Sequence, residues 1–221
     1  CSMRKAKELF MSSYHFILAG LMVSIYGSTD KFMLKQLLNE AEVGYYSTAV
    51  SLCNTWVFLL TAIIDSLYPV ILQSFNNKEL FERKNKQLYS IVFYISVSVS
   101  ILFSVLATPV VRILYGKAYI AAAAPLRIIT WYTAFSYLGV ARNAWIVSYN
   151  KQNYLKYLYI GAAITNVILN VIMIPLWGAS GAAFASLLTQ ISTILVFPAL
   201  IRDLRPNVKL MVDAILLKKV F

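Results

Sequence analysis

Six long apolar stretches, separated by short breaks whose positive charge alternates, constrain this chain more than any other feature of its 221 residues. Leu, Ile, Val, Phe, Ala and Tyr dominate from Met11 to Ile201, and 60% of all residues are hydrophobic. Charged residues make up 13%, about half the share usual for a soluble domain, and the mean hydropathy is +0.69. A helix needs about 20 predominantly apolar residues to cross a hydrocarbon core of about 30 Å. Spans are expected at 11–34, 45–72, 88–111, 121–149, 154–176 and 179–201. Six spans leave no room for a soluble catalytic domain. The chain therefore reads as an all-α integral membrane protein: a short N-terminal segment over 1–10, a six-transmembrane-helix bundle over 11–201, and a tail over 202–221.

The net charge of +11 invites comparison with nucleic-acid binders, but its distribution argues for topology instead. Arg4, Lys5, Lys7, the Lys78–Lys86 break, Lys151, Lys156 and the tail place 14 basic residues on one side. Lys31, Lys35, Arg112 and Lys117 are the four on the other, and the Gly178–Gly181 break has none. The positive-inside rule then puts both termini in the cytoplasm. Membrane topology accounts for the basicity, and no nucleic-acid partner is expected. Cys1 and Cys53 imply neither a disulfide framework nor a Cys-rich metal site. The opening Cys-Ser-Met lacks an initiator Met, which suggests a fragment of a longer chain.

Within this plan Pro69 is a kink site near the end of the second span. Gln73–Gln87 is the longest internal hydrophilic break. The fifth and sixth spans meet in an uncharged corner, Pro175 to Gly181, after which Gly178/Ala182/Ser186 and Gly181/Ala185/Thr189 repeat at four-residue steps. Small side chains on shared helical faces allow close helix approach, so packing is the first reading of that pattern. In the tail, Val208, Met211, Val212, Ile215 and Leu216 can share one face of an interfacial helix; a disordered tail or the start of a continuing chain is the alternative.

Chemistry-bearing motifs are sparse. One His, His15, no Cys pair at ligand spacing, no paired Asp motif and no Gly-rich phosphate loop leave no metal, cofactor or nucleotide site to expect, and no enzyme. Intramembrane ionisable groups are the better lead, because they are costly and usually face a cavity or a partner. Asp30, Asp65, Arg127 and Arg142 stand at or within membrane depth, with Lys31 beside them at the outer boundary. Arg127 and Arg142 lie fifteen residues apart on span four, which leaves about 60° between them on a helix. Their guanidiniums suit a pyrophosphate by bidentate hydrogen bonding. The competing readings are snorkelling, or ion pairs with Asp30 and Asp65. Asn166 and Asn170 share one face of span five; they either hydrogen-bond sugar hydroxyls or join helices, the commoner use in membranes.

Several segments together resemble the bacterial polysaccharide and O-antigen flippases. These are Asp30-Lys-Phe-Met-Leu-Lys with Val43-Gly-Tyr-Tyr-Ser-Thr-Ala49, the Tyr68-Pro69 step, Arg112 to Tyr119 followed by Leu126-Arg-Ile, and Asn166-x-x-x-Asn170-x-x-x-Ile174-Pro175 with Gly178-x-x-Gly181-Ala-Ala183. Each motif alone is weak; their order across roughly 30–185 carries the resemblance. That family belongs to the multidrug/oligosaccharidyl-lipid/polysaccharide exporter superfamily, whose members have two six-helix lobes around a cavity. The resemblance implies one lobe of a twelve-or-more-helix exporter, which moves a lipid-linked oligosaccharide on a polyprenyl pyrophosphate across the bacterial cytoplasmic (inner) membrane by alternating access. It further implies coupling to an ion gradient, and as partners membrane lipid, a missing N-terminal lobe or second copy, and glycan polymerase or assembly proteins. A drug/cation antiporter of the same superfamily would favour acidic cavity residues, which Arg127 and Arg142 oppose. A non-transporting scaffold of a glycan-assembly complex is the reading from a different class.

Overall fold

The computed structural model describes residues 28–218, and every regular element among them is helical. The expected N-terminal segment, most of the first span and His15 fall outside the described residues. Helix α1 covers 28–37 and α2 Glu40–Asn54, α3 is Phe58–Gln73, and α4 is Lys78–Tyr115. Helix α5 is Ala123–Ala141, α6 Asn143–Ser148, α7 Leu155–Ile191, α8 Phe197–Leu200 and α9 Arg205–Ile215. Three of the described segments are long and apolar enough to cross a membrane: Phe58–Asn76, Lys78–Tyr115 and Gln152–Leu200.

The side chains show which solvent this bundle is built for. On α4, Ser96, Ser100 and Ala107 are buried, while Ile101, Leu102 and Val105 are exposed, Val105 by 70%. Small and polar residues inside, large apolar ones outside, invert the order of a water-soluble protein. Small interfaces and interhelical hydrogen bonds are how helices associate in lipid. The α4–α5 contact follows that rule: Ser100 Oγ donates to the Thr130 carbonyl at 2.8 Å, and Trp131 Nε1 donates to Ser104 Oγ at 3.2 Å.

Several boundaries differ from the sequence reading, each for a local reason. The stretch expected as one span over 45–72 breaks at 55–57, where Thr55 ends α2 by turning its hydroxyl onto the Leu52 carbonyl at 2.7 Å. The long hydrophilic break at 73–87 shrinks to Ser74–Asn77, because Asn77 caps α4 by accepting the Leu80 N–H at 3.1 Å. Charged residues from Lys78 onward therefore already belong to a 38-residue helix, about 57 Å long at 1.5 Å per residue. That is well beyond a hydrocarbon core, so its charged first turns project past it.

Helix α7 turns back on itself at Gly178, whose φ of 55° and ψ of −134° are outside the helical region. A Cβ on Gly181 would overlap the Met173 carbonyl, so only glycine lets the two legs approach backbone to backbone. Here the four-residue ladder of small residues becomes the inner face of a hairpin, with Ala182 and Ala185 fully buried.

Successive breaks gather at opposite ends. At one, Glu42 reaches the Gly178 turn and Tyr45 packs edge-on against Tyr119 at 6.1 Å. At the other, Phe75 packs against Tyr149 at 5.3 Å and Lys151 meets Asp203. Each end has its own apolar core, one around Phe81, Leu88, Trp145 and Leu204, the other around Leu34, Ala107, Leu126 and Ile174. Helix α9 docks on α4 through Asn207, Leu210, Met211 and Ala214. The apolar stripe expected along the tail is thereby split: Met211 is buried, whereas Val212 and Leu216 face outward.

Candidate functional site

The described residues hold one carboxylate in a fully buried, hydrogen-bonded setting, Asp30, which is 1% exposed. It shares a face of α1 with Leu34, four residues on, and that face turns toward α2 and α7. Both of its oxygens accept two hydrogen bonds. Oδ2 takes the Tyr46 hydroxyl at 2.6 Å and the Ser186 hydroxyl at 2.5 Å; Oδ1 takes Asn170 Nδ2 at 2.6 Å and Asn166 Nδ2 at 3.1 Å. Asn170 Nδ2 also reaches Asn166 Oδ1 at 3.1 Å. One side chain thus ties α1 to α2 and to both legs of the α7 hairpin. The knot lies about 12 Å along the helix from the Gly178 turn, counting Asn170 to Gly178 at 1.5 Å per residue.

Asp30, Tyr46 and Ser186 also line a cavity of about 290 Å³, which Lys31, Asn54, Thr133 and Ser136 enter from other sides. A second cavity of about 120 Å³ presents Asn143, Tyr159, Gln190 and Thr193. The two share Tyr132, Ser136 and Val140, so polar surface continues from Asp30 toward the α5–α6 junction. Opposite that junction the chain makes one π-helical segment, Ser192–Val196, with Thr193 and Ile194 facing the smaller cavity. Single π turns of this kind commonly mark functional positions in a helix.

The remaining sequence candidates separate. Asn166 and Asn170 are fully buried and hold Asp30 rather than opening onto either cavity. Lys31 is exposed at the cavity rim. Asp65 is exposed on α3, away from the knot, and Arg127 is exposed with its guanidinium on Thr108 Oγ1 at 3.0 Å. Neither arginine pairs with Asp30 or Asp65 among the described residues. Arg142 is 1% exposed, lines no described cavity, and none of its three guanidinium nitrogens meets a hydrogen-bond acceptor. Tyr46 and Ser186 escaped the sequence reading: the first sits inside a quoted motif and the second in the small-residue ladder, but nothing in either pattern points at Asp30.

The site brings together one carboxylate, two amides and two hydroxyls. Such an all-oxygen and amide set can exchange a proton or hold a hard cation, and does not suit soft metals. Among the described residues no group of three or more His, Cys, Asp or Glu could hold a metal ion.

Comparison with known proteins gives two findings. A family described as polysaccharide biosynthesis protein matches residues 1–124. The chain is also similar to the lipid II flippase MurJ of Bacillus subtilis (strain 168), 26% identical over 203 residues, which cover 85% of this chain. The chain spans 37% of that protein's length. No solved structure matches.

Proposed function

This chain belongs to the polysaccharide biosynthesis protein family, and from that premise we propose that it forms one six-helix lobe of a membrane transporter, which moves a polyprenyl-pyrophosphate-linked oligosaccharide across the bacterial cytoplasmic membrane for surface polysaccharide synthesis. The observation that carries this reading is the polar cavity between helices whose outer surfaces are apolar. Its wall offers hydroxyls from Tyr46, Thr133, Ser136 and Ser186 and the Asn54 amide, groups that hydrogen-bond sugar hydroxyls. Both termini face the cytoplasm in this reading, and a second lobe or copy closes the cavity from the other side. The polyprenyl tail stays in lipid, against surfaces such as Ile164, Ile168 and Val171 on α7. Asp30 sits where its ligation can respond to movement of the α7 hairpin, the feature a gradient-coupled lobe needs. It is also the acidic wall group that keeps a drug/cation antiporter as the second reading.

The test is a cavity-filling variant. Val140 borders both cavities and takes no part in the Asp30 hydrogen bonds. Val140→Trp in the full-length protein, reconstituted with a fluorescent polyprenyl-pyrophosphate glycan, should abolish translocation while expression and thermal stability hold. Undiminished translocation by the filled protein refutes the cavity reading. A wild-type protein that moves an organic cation but no glycan lipid favours the antiporter. One that moves neither, yet recruits glycan-assembly proteins, is a scaffold.

A further inference from the structure

The end of the bundle that carries Lys151 and Lys209 holds another cavity, about 800 Å³, which the transport reading does not use. Three separate stretches build it: the first turns of α4, the end of α6 with the residues up to Lys151, and the stretch from Asp203 to Lys218 that contains α9. Two of its lysines are neutralised. Lys86 pairs with Asp213 at 3.3 Å, and Lys151 pairs with Asp203 at 2.5 Å, on an oxygen that also accepts the Tyr154 hydroxyl at 2.9 Å. Lys78, Lys209 and Lys218 make no ion pair among the described residues, and Glu82 is the only other acid on the wall. The cavity therefore carries a net positive charge.

Beside the Lys86–Asp213 pair, contacts between uncharged groups bring these ammonium groups together. Helix α9 is pinned to α4 by uncharged contacts: Ser90 Oγ donates to the Ala214 carbonyl, the Tyr94 hydroxyl to the Ile215 carbonyl, and Asn207 Nδ2 to the Tyr89 hydroxyl, each at 2.8 Å. The fold holds the lysines near one another against their mutual repulsion. Lys78 is also the first residue of α4, so the positive end of a 38-residue helix adds to the same field. Trp145, 3% exposed, and Tyr149, ring to ring at 4.6 Å, give the cavity an aromatic floor. Its volume lies within the range of small-molecule sites, about 300–1,000 Å³.

We propose that this cleft binds a phosphate-bearing anion, with Lys78, Lys209 and Lys218 as its ammonium ligands and Trp145 at its floor. Several compact point charges around one open volume suit a dense, multiply charged group rather than a single carboxylate. A lipid headgroup and a soluble pyrophosphate offer the same chemistry. The outward Val212 on α9 and Leu216 at its C-cap suit that helix to a bilayer surface, at the level of lipid phosphates.

The experiment uses the full-length protein in phosphatidylcholine nanodiscs, titrated calorimetrically with inorganic pyrophosphate and, separately, with dihexanoyl phosphatidic acid. One saturable site is expected, with Lys78→Gln/Lys209→Gln/Lys218→Gln weakening it by about tenfold or more. Lys35→Gln/Arg112→Gln/Lys117→Gln, at the opposite end, should leave it unchanged. Binding of phosphatidic acid alone assigns the site to a headgroup; binding of pyrophosphate as well assigns it to soluble phosphate chemistry. Absence of binding by either probe, or equal loss in both variants, overturns the proposal. Should the triple variant fold poorly, Lys209→Gln and a salt titration of the wild type repeat the test, since affinity without ionic-strength dependence is equally fatal.

Discussion

Replacing Asp30 with Ala removes the one acceptor on which four donors converge. Hydrogen bonds to a charged group contribute about 1.5–3 kcal/mol each, so losing all four sets an upper bound of about 6–12 kcal/mol. Water can recover part of this. Tyr46 and Ser186 border the 290 Å³ cavity, where a water can replace the carboxylate oxygen. Asn166 and Asn170 are fully buried and border no described cavity, leaving only their mutual contact at 3.1 Å. Two stranded interactions remain, or about 3–6 kcal/mol. At about 2–4 °C per kcal/mol for a chain of this size, the apparent Tm should fall by roughly 6–24 °C. Uncharged interhelical hydrogen bonds in membranes average only about 0.6 kcal/mol, so ordinary contacts at these two amides would cost about 1 kcal/mol. Fluorescence-detected thermal unfolding of the purified protein in detergent separates the two cases. A shift below about 5 °C would refute the view that Asp30 ties α1, α2 and the α7 hairpin together.

At the hairpin tip, Glu42 Oε2 accepts the Ala179 N–H at 2.6 Å, and a Cβ on Gly178 would stand 2.5 Å from that oxygen. Glu42→Ala should cost about 1 kcal/mol, like the loss of a helix cap. Gly178→Ala should cost more, through its positive φ as well as the clash. The double variant should lose less than the sum, because Glu42→Ala removes the obstacle; strict additivity in thermal unfolding would contradict the contact. At the opposite end, the hydrogen bond from Lys151, then that from Tyr154, holds the Asp203 carboxyl below its ordinary value of 3.8, while the bond to Asp203 raises Lys151 above 10.5. The stabilisation from Asp203 is present above its ordinary value and is lost as pH falls through the depressed one. That from Lys151 is complete below 10.5 and is lost as pH rises through the raised value. Hydrogen exchange at 150–154 should therefore be slowest, relative to Lys151→Met, between those limits; equal pH dependence in the two proteins would exclude the pair as the cause.

How much was legible in the sequence differs from residue to residue. The break at Gly178–Gly181 could be read, because glycine marks a backbone that side chains would obstruct and Met173 supplies the obstruction. Asn166 and Asn170 could be placed on one face from their spacing, yet spacing could not say whether that face met a sugar or a helix. The aspartate that answers the question lies 136 and 140 residues away. Arg142 was a candidate because a guanidinium within an apolar run is costly; its burial without an acceptor depends on packing around α5, α6 and α4.

By itself, the sequence determined the solvent and the element type. Sixty per cent apolar residues in helix-length runs admit little besides helices in lipid, since each backbone group must be satisfied within its own segment. Only the tertiary structure decided which polar groups meet. The alternating charge of the breaks is a one-dimensional signal, whereas the Asp30 knot and the lysine cleft arise when three or more helices converge. The rotation and tilt that bring them together are set by side-chain packing between helices, which no single helix encodes.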